Sequence, residues 1–258
     1  MLISEMFELV NYISNKHQSG EALRINRFNQ LIDVLSKDFF KRKVEELEVY
    51  RRRGNPPPQQ AYYNSKLLRE FVRIEVVAVG ADKEINLTVG ADLDYEFAYL
   101  IGIIGLVGGR QRNIELVTDE EYGDRWEDSI VNDDTLPYAT IADNRVHISW
   151  HANINPVEFT YYRFPATPVC DYYLDVNGVM TFLTAAQVHV WATGEIQSNG
   201  VVRTIGDPNY TSLTVELEYN EDLHMEILWN VLSVCGIKIE QPQIAQYSEM
   251  MKAEEKQQ

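Results

Sequence analysis

The stretch YNEDLHMEILWNVLSVCGI, Tyr219 to Ile237, predicts a helix near the end of a chain whose centre is rich in strands, and this combination indicates the fold class. Asn220 stands where a helix cap is expected and Gly236 where the helix would end. One face of this helix carries an apolar stripe at three- and four-residue spacing, made of Leu223, Ile227, Leu228, Val231, Leu232 and Cys235.

The residues just before this helix, TSLTVELEY, alternate strictly between polar and apolar side chains. Such a period of two is typical of a half-buried strand. The alternation predicts that Leu213, Val215, Leu217 and Tyr219 face the core, and that the intervening polar residues face solvent. A strand that leads directly into a helix favours an α+β fold over an all-β fold.

The rest of the chain divides by composition into four predicted segments. Residues 1–53 predict a helical arm, since apolar side chains recur at helical spacing from Phe28 to Phe40. The sequence GNPPPQQ, residues 54–60, predicts a stiff linker, because consecutive prolines cannot continue a helix. Residues 61–219 predict an antiparallel, sandwich- or barrel-like β-rich core domain with one inserted helix at about 118–131. Residues 220–258 predict a pair of C-terminal helices, the second of which opens at Pro242.

Turn residues indicate how the strands connect. YATIADNRVHISW predicts a hairpin with its turn at ADN, and the Asn-Gly pair in YYLDVNGVMTF predicts another. Further strands are predicted in AAQVHVWATG and GVVRTIG. The glycines of GIIGLVGGR lack the spacing of a phosphate-binding loop. We interpret them as relief for close backbone packing.

The charge of the chain is large and uneven. The formal net charge is −16 at pH 7. Residues 1–55 hold 10 basic and 8 acidic residues, whereas residues 56–258 hold 13 basic and 31 acidic residues. The body is therefore strongly acidic, which excludes the polyanion-binding class for the chain as a whole. It leaves two interpretations: simple solubility, or a surface that repels nucleic acid so that the nucleic acid slides past.

No catalytic, cofactor or metal motif stands out. Cys170 and Cys235 sit in apolar company, form no C-x-x-C pair and are predicted to be buried free thiols. His147 and His151 fall in a strand pattern, where a separation of four residues spans about 13 Å. Two histidines that far apart do not chelate one metal ion. We therefore expect no enzyme activity, no cofactor and no metal site.

The sequence also carries no obvious membrane or export signal. The longest apolar run, FAYLIGIIGLVGG, has 13 residues and includes four glycines, which is too short to cross a bilayer. The N-terminal stretch MLISEMFELVNYI lacks a basic region and a small-residue cleavage site. We expect no contact with a membrane.

The order of these parts resembles the neck or ring proteins of crAss-like tailed bacteriophages, which infect Bacteroidota. The resemblance is carried by VNYISNKHQSGEALRINRFNQLIDVLSKDFF and NPPPQQ near the start, by ELVTDEEYGDRWEDSIV and LPYATIADNRVHISW, and by the C-terminal stretch LEYNEDLHMEILWNVLSVCGIKIEQPQIAQYSEMMKAEE. It also includes VEFTYYRFPATPV, with the pattern Y-x-R-x-P-x-x-P. Residues 171–210 are longer than the pattern.

The resemblance implies a structural role. Such proteins are non-enzymatic virion components, assembled in the host bacterial cytoplasm. They form rings, here expected to be dodecameric, that contact the portal and the adjacent neck and tail ring proteins. DNA passes through the lumen of the ring without specific binding.

Assembly of this kind requires interface residues, and the sequence offers several candidates. Arg51, Arg52 and Arg53 form a basic cluster at the end of the arm, which suits either a solvated helix end or docking to an acidic surface. Aromatic, arginine and methionine side chains are enriched at protein interfaces. On this basis the other candidates are Tyr161, Arg163, Trp229, Tyr247, Met250 and Met251.

Two alternatives to a ring protein remain open at the level of sequence. A ligand- or carbohydrate-binding β-domain of a virion would use exposed aromatic side chains, for which the candidates are Tyr161, Tyr162, Tyr172, Tyr173 and Trp191. An unrecognised hydrolase would use scattered carboxylates such as Asp124, Glu127 and Asp128.

Overall fold

The computed structural model describes residues 1–17, 23–52, 66–80, 82–107, 110–127, 137–149 and 154–235. Within these residues the chain contains both helices and a large curled β-sheet of half-barrel form, so the predicted α+β class is confirmed. The linker at 54–60 and the second C-terminal helix lie outside the described residues.

Two compact units make up the chain. One consists of Met1–Gly54 together with Pro165–Gln258, and the other of Asn55–Phe164. These units cross the boundaries that the sequence predicts. Residues 1–53 pack with the C-terminal third of the chain, and the predicted β domain of residues 61–219 is divided at Pro165. The physical reason is contact at long range in the sequence, such as that between the rings of Phe7 and Phe182, whose centroids lie 5.7 Å apart.

The described part of the unit formed by both ends of the chain contains three helices: α1 (Ile3–His17), α2 (Ile25–Arg52) and α4 (Glu221–Val234). Helix α3 (Asp119–Glu127) lies in the other unit. The predicted apolar stripe of α4 is confirmed for Leu223, Ile227, Leu228, Val231 and Leu232, which are all buried, whereas Cys235 is only half-buried. Asn220 precedes the helix as predicted but makes no side-chain capping hydrogen bond.

Five short strands complete this unit: β8 (Asp171–Leu174), β9 (Met180–Leu183), β10 (Val188–His189), β11 (Ile196–Gln197) and β12 (Tyr210–Thr211). They form a three-stranded sheet in the order β11-β8-β9 and a two-stranded sheet of β10 and β12. The turn between β8 and β9 contains the predicted Asn-Gly pair, and Gly178 takes the left-handed conformation there, with φ of +77°. That hairpin is confirmed.

Among its described residues, the other unit is built on seven strands and one α-helix. In chain order they are β1 (Val72–Val77), β2 (Glu84–Asn86), β3 (Phe97–Val107), β4 (Arg110–Leu116), α3 (Asp119–Glu127), β5 (Tyr138–Ala142), β6 (Arg145–Ile148) and β7 (Val157–Arg163). The strands lie in one sheet in the order β1-β7-β3-β4-β5-β6-β2. A short 3-10 helix, Arg69–Phe71, precedes β1.

Local sequence explains two connections of this sheet. Asp143 and Asn144 both have positive φ, at 49° and 60°, as a tight two-residue hairpin turn requires, so the hairpin predicted at ADN is confirmed. The strands β4 and β5 are parallel neighbours and need a crossover, which α3 supplies. Thr118 caps α3, because its hydroxyl accepts a hydrogen bond from the N–H of Glu121 at 3.2 Å.

The glycines of β3 have different roles. A Cβ on Gly105 would lie 2.8 Å from Cγ2 of Ile154 and 3.1 Å from Cδ1 of Ile114, so this glycine does permit close packing, as predicted. Gly102 has no atom within 4 Å of the same position and has no such role. The core against which Gly105 packs is made of branched apolar and aromatic side chains, including Ile85, Ile103, Val146, Ile148, Val157 and Phe159.

One predicted strand is wrong in extent, and its predicted orientation is wrong only in the first half, since Leu217 and Tyr219 are buried as predicted. Of TSLTVELEY, only Thr211 lies in a strand, and Val215 makes an isolated bridge to Val169. Leu213, predicted to face the core, is 63% exposed, whereas Ser212 and Thr214 are buried. The hydroxyl of Thr214 donates a hydrogen bond to the carbonyl of Leu183 at 2.6 Å, which satisfies a buried polar group and permits the inversion.

Candidate interaction surface

Most of the interface candidates predicted from sequence are not exposed on described surface. Tyr161 has no exposed surface and its hydroxyl donates a hydrogen bond to Glu75. Arg163 is buried to 8% exposure, with its guanidinium over the rings of Phe71 and Tyr95 at 5.6 and 5.1 Å. Both residues therefore stabilise their own sheet, and neither is available to a partner in this structure.

The remaining candidates lie in helices or outside the described residues. Trp229 is 42% exposed on α4 and stays available for contact. Arg51 and Arg52 lie in the last turn of α2. The other predicted candidates, Arg53, Tyr247, Met250 and Met251, lie outside the described residues.

The buried carboxylate of Asp171 connects the short strands of the unit formed by both ends of the chain. Asp171 in β8 is 3% exposed. One of its oxygens accepts hydrogen bonds from the hydroxyl of Tyr210 at 2.8 Å and from the N–H of Leu213 at 3.0 Å. Burial is the main cause that raises the pKa of Tyr210 to about 12, and the hydrogen bond to Asp171 adds to the increase. Asp171 thus fixes β12 and the segment after it against the three-stranded sheet.

An aromatic cluster lies on the same side of β8 as Asp171. The rings of Tyr173 and His189 stack with centroids 4.1 Å apart, and Trp191 meets His189 edge-on at 4.8 Å. His189 Nε2 lies 2.8 Å from a carboxylate oxygen of Glu195. The guanidinium of Arg203 covers the indole of Trp191 at 5.2 Å. These side chains pack against one another and form the small core of this region.

The opposite face of the same sheet carries exposed apolar side chains. Leu174 pairs with Met180 on one side and with Ile196 on the other, and Ile196 bridges to Val202. Directly paired residues of antiparallel strands point to the same face. The four side chains therefore form one continuous row across the sheet, which we call the apolar row: Val202, Ile196, Leu174 and Met180.

The apolar row is open to solvent in the described structure. Val202 is 63% exposed and Met180 38%, and both Ile196 and Leu174 are half-buried. Val176, at 62% exposure, lies in the adjacent turn between β8 and β9. Helix α1 covers the neighbouring part of this face, where Phe7 packs against Phe182. The sheet face is thus half covered by the chain's own helix and half exposed.

Other exposed branched residues surround the aromatic cluster. Val188 and Val190 flank His189 in sequence, and their exposures are 54% and 70%. Because His189 points into the cluster, its neighbours along the strand point away from it. Ile205, at 78%, is also exposed in this region. Residues 174–213 therefore concentrate exposed apolar surface, which typically marks an interaction site.

A groove of about 440 Å³ lies between α2 and α4, and its lining includes Asn230, the residue that follows Trp229. Its lining is mostly polar and charged: Leu35, Asp38, Lys41, Arg42, Glu45, Asn230, Ser233 and Val234. It contains no histidine or cysteine, and we assign no catalytic role to it.

The described residues bring together no group of three or more His, Cys, Asp or Glu side chains with the geometry of a metal site. His147 lies 3.2 Å from Glu84, and His224 is hydrogen-bonded to the carbonyl of Tyr219. Asp124 is exposed on α3. Among the described helices, none combines the length and the apolarity needed to cross a bilayer.

The aromatic residues proposed for carbohydrate binding are largely inaccessible. Tyr161, Tyr162 and Trp191 are buried, at 0%, 6% and 4% exposure. Only Tyr172 and Tyr173 are partly exposed, and Tyr173 is stacked against His189. The expectation that these side chains form an exposed platform is therefore wrong for Tyr161, Tyr162 and Trp191.

The thiol of Cys170 is expected to be unreactive in the folded protein. It is buried, and burial raises its pKa to about 12, so almost no thiolate forms near neutral pH. In native protein at pH 8 we expect a thiol reagent to label Cys170 at least about a hundredfold more slowly than in urea-unfolded protein. Mass spectrometry of the labelled peptides measures this, and equal rates in the two states would contradict it.

The hairpin between β8 and β9 is expected to weaken in acid. The carboxylate of Asp175 accepts hydrogen bonds from the N–H groups of Val179 at 2.7 Å and Asn177 at 2.8 Å, and these bonds lower its pKa. A lowered folded-state pKa contributes stability above the unfolded value of about 3.9, and that contribution is lost as pH falls through the folded value. NMR titration of the Asp175 carboxyl carbon checks the lowered pKa. In Asp175→Asn, the loss of stability in acid that this carboxylate causes is expected to disappear.

A search of protein-family models finds no match to this chain, and a search of curated proteins finds no significant match either.

Proposed function

We propose that the chain is a structural subunit of an oligomeric ring in the neck or tail of a tailed bacteriophage, where it joins the portal to the tail around the DNA channel. The observation that carries the proposal is the exposed apolar surface of residues 174–213, centred on the apolar row. A surface of this kind is expected to be covered by another subunit.

The charge of the chain also supports this proposal. A net charge of −16 favours repulsion of DNA over binding, which suits a subunit beside a channel through which DNA passes. In a ring each subunit meets the next through two different surfaces, because the contact is repeated by rotation. The apolar row is one such surface, and its natural counterpart is the adjacent ring subunit or the portal.

The first experiment counts the protein in particles. Virions are purified, and the chain is quantified by mass spectrometry relative to the portal subunit. A ratio close to one chain per portal subunit is the expected result for a neck ring. Absence from particles, or a copy number close to that of the capsid protein, would overturn the proposal.

A variant links the particle result to the apolar row. Met180→Glu introduces a charge into the row at a side chain that is already 38% exposed, so the chain is expected to fold. We expect its incorporation into particles to fall at least about tenfold in competition with the wild-type chain. Val34→Glu on α2 is the matched control, since Val34 is 56% exposed and lies outside the row. Equal incorporation of both variants would exclude the row as the contact.

A further inference from the structure

The seven-stranded sheet has two edges that differ in chemistry. At one edge, β2 is three residues long, and the N–H of Asn86 donates a hydrogen bond of 2.6 Å to the carboxylate of Asp92. This side chain occupies a backbone group that another strand would need, so the edge is blocked. At the other edge, β1 is six residues long and pairs only with β7 among the described strands.

The backbone of β1 has groups that point away from β7. The N–H of Val72 bonds to the carbonyl of Arg69, and its carbonyl accepts from the side chain of Arg73, so neither group of Val72 bonds to β7. Backbone groups alternate in direction along a strand. Ile74 and Val76 therefore also direct their N–H and C=O groups to the open side of the edge.

The side chains of β1 suit association as well. Ile74 is 61% exposed and Val76 69%, although both are branched residues that pack well in sheets. They lie on the sheet face opposite Val77, which is buried in the core. A strand with apolar residues on both faces and an open edge is a template for pairing with another strand.

The sequence of β1 is complementary to itself when two copies run antiparallel. If Ile74 faces Ile74 of a second copy, then Arg73 faces the second copy's Glu75, and Val72 faces its Val76. Opposite charges are thus paired and apolar residues meet apolar residues. Ile74 forms the central pair, in which each N–H can meet the other copy's C=O.

Charge selects this register over its neighbours. Only the backbone groups of Ile74 and Val76 can join this ladder, because both groups of Val72 are already bonded. Registers that keep outward-pointing residues opposite one another differ by steps of two residues. One such shift places Arg73 opposite the second copy's Arg73, and the other places Glu75 opposite its Glu75. Like charges directly opposite are unfavourable in a sheet, so the register centred on Ile74 is the favoured one.

We propose that β1 is a dimerisation edge, through which two copies of this chain pair antiparallel about Ile74 and join their seven-stranded sheets into one. The proposal does not rest on the ring function. A two-fold contact is complete with two copies and does not repeat around a ring. The dimer is therefore a form of the chain outside the ring, and it covers the open edge that would otherwise recruit other strands.

Cross-linking tests the register. In a chain whose Cys235 is replaced by serine, Ile74→Cys places the two introduced thiols on directly opposite residues, with Cα atoms about 5.5 Å apart, which suits a disulfide. Val76→Cys is the matched control, because its two thiols lie roughly 13 Å apart in the same register. We expect rapid covalent dimerisation of the first variant under mild oxidation and little of the second. Equal rates would overturn the proposed register.

Sedimentation velocity tests the dimer itself. The wild-type chain is expected to show a monomer–dimer equilibrium, and Ile74→Lys, which places like charges at the centre of the contact, is expected to weaken it at least about tenfold. Circular dichroism verifies that this exposed substitution leaves the fold intact. A wild-type chain that stays monomeric at millimolar concentration would overturn the proposal. Larger oligomers that Ile74→Lys leaves unchanged would also overturn the dimer proposal, but they would be compatible with the ring function.

Discussion

Replacement of Asp171 by alanine is expected to lower the free energy of unfolding by about 3 kcal/mol. The substitution leaves two donors without their acceptor inside the protein, the hydroxyl of Tyr210 and the N–H of Leu213. A third bond, from the N–H of Tyr172 to the other carboxylate oxygen, is lost as well. Urea denaturation followed by circular dichroism measures the change.

Two further variants make this prediction specific. Asp171→Asn keeps the shape and one acceptor oxygen, so its cost is expected to be about half as large. Asp38→Ala removes an exposed carboxylate from α2 and is expected to change stability by less than about 0.5 kcal/mol. If Asp171→Ala were as mild as Asp38→Ala, the carboxylate would not organise the small strands.

Replacement of Gly105 by valine is expected to destabilise the protein by about 3 kcal/mol. The first added carbon already lies 2.8 Å from a methyl group of Ile154, and that methyl is attached to a branched carbon with few alternative positions. The strand β3 is paired on both sides, by β7 and β4, so it does not move easily to relieve the contact.

Gly102 is the matched control on the same strand. It has open space where its Cβ would lie, and Gly102→Val is expected to be neutral or slightly stabilising because valine favours strands. Thermal unfolding of the two variants compares them directly. A Gly105→Val protein with the melting temperature of Gly102→Val would show that close packing at Gly105 is unimportant.

The sequence predicts those parts of the fold whose signals are local. The stripe of α4 has a period that only a helix satisfies. The turn at Asp143 and Asn144 uses residue types that tolerate positive φ. The cap of α3 by Thr118 combines a hydroxyl with a glutamate three residues later. In each case the information lies within a few residues of the element.

The inverted segment after Thr211 shows where local signals fail. A period of two in TSLTVELEY predicts a strand. It does not reveal which face is buried when the polar side chains can form hydrogen bonds inside the protein. Thr214 is buried because Leu183 and Asp171, about 30 to 40 residues earlier, provide its hydrogen-bond partners, and the hydroxyl of Ser212 accepts a hydrogen bond from the N–H of Thr214. Without those partners the apolar face would be the buried one, as the sequence alone indicates.

The candidate surface was equally hard to predict. Branched residues such as Ile196 and Val202 are expected in a core, and nothing in their neighbourhood marks them as exposed. Their exposure follows from register in a three-stranded sheet that α1 covers only in part. Conversely, Tyr161 and Arg163 have the composition of interface residues but are used within the sheet, where Glu75 and the ring of Tyr95 pair with them.

The unit formed by both ends of the chain is interrupted in sequence by Asn55–Phe164, and this order affects how it folds during synthesis on the ribosome. Residues Asn55–Phe164 are contiguous, so that unit can fold as soon as it leaves the exit tunnel. Helices α1 and α2 emerge earlier, yet Phe7 and Phe39 await Phe182 and Tyr219, which are translated much later. The apolar faces of α1 and α2 are thus covered completely only after residues 165–219 are made, and during that interval they are expected to bind chaperones.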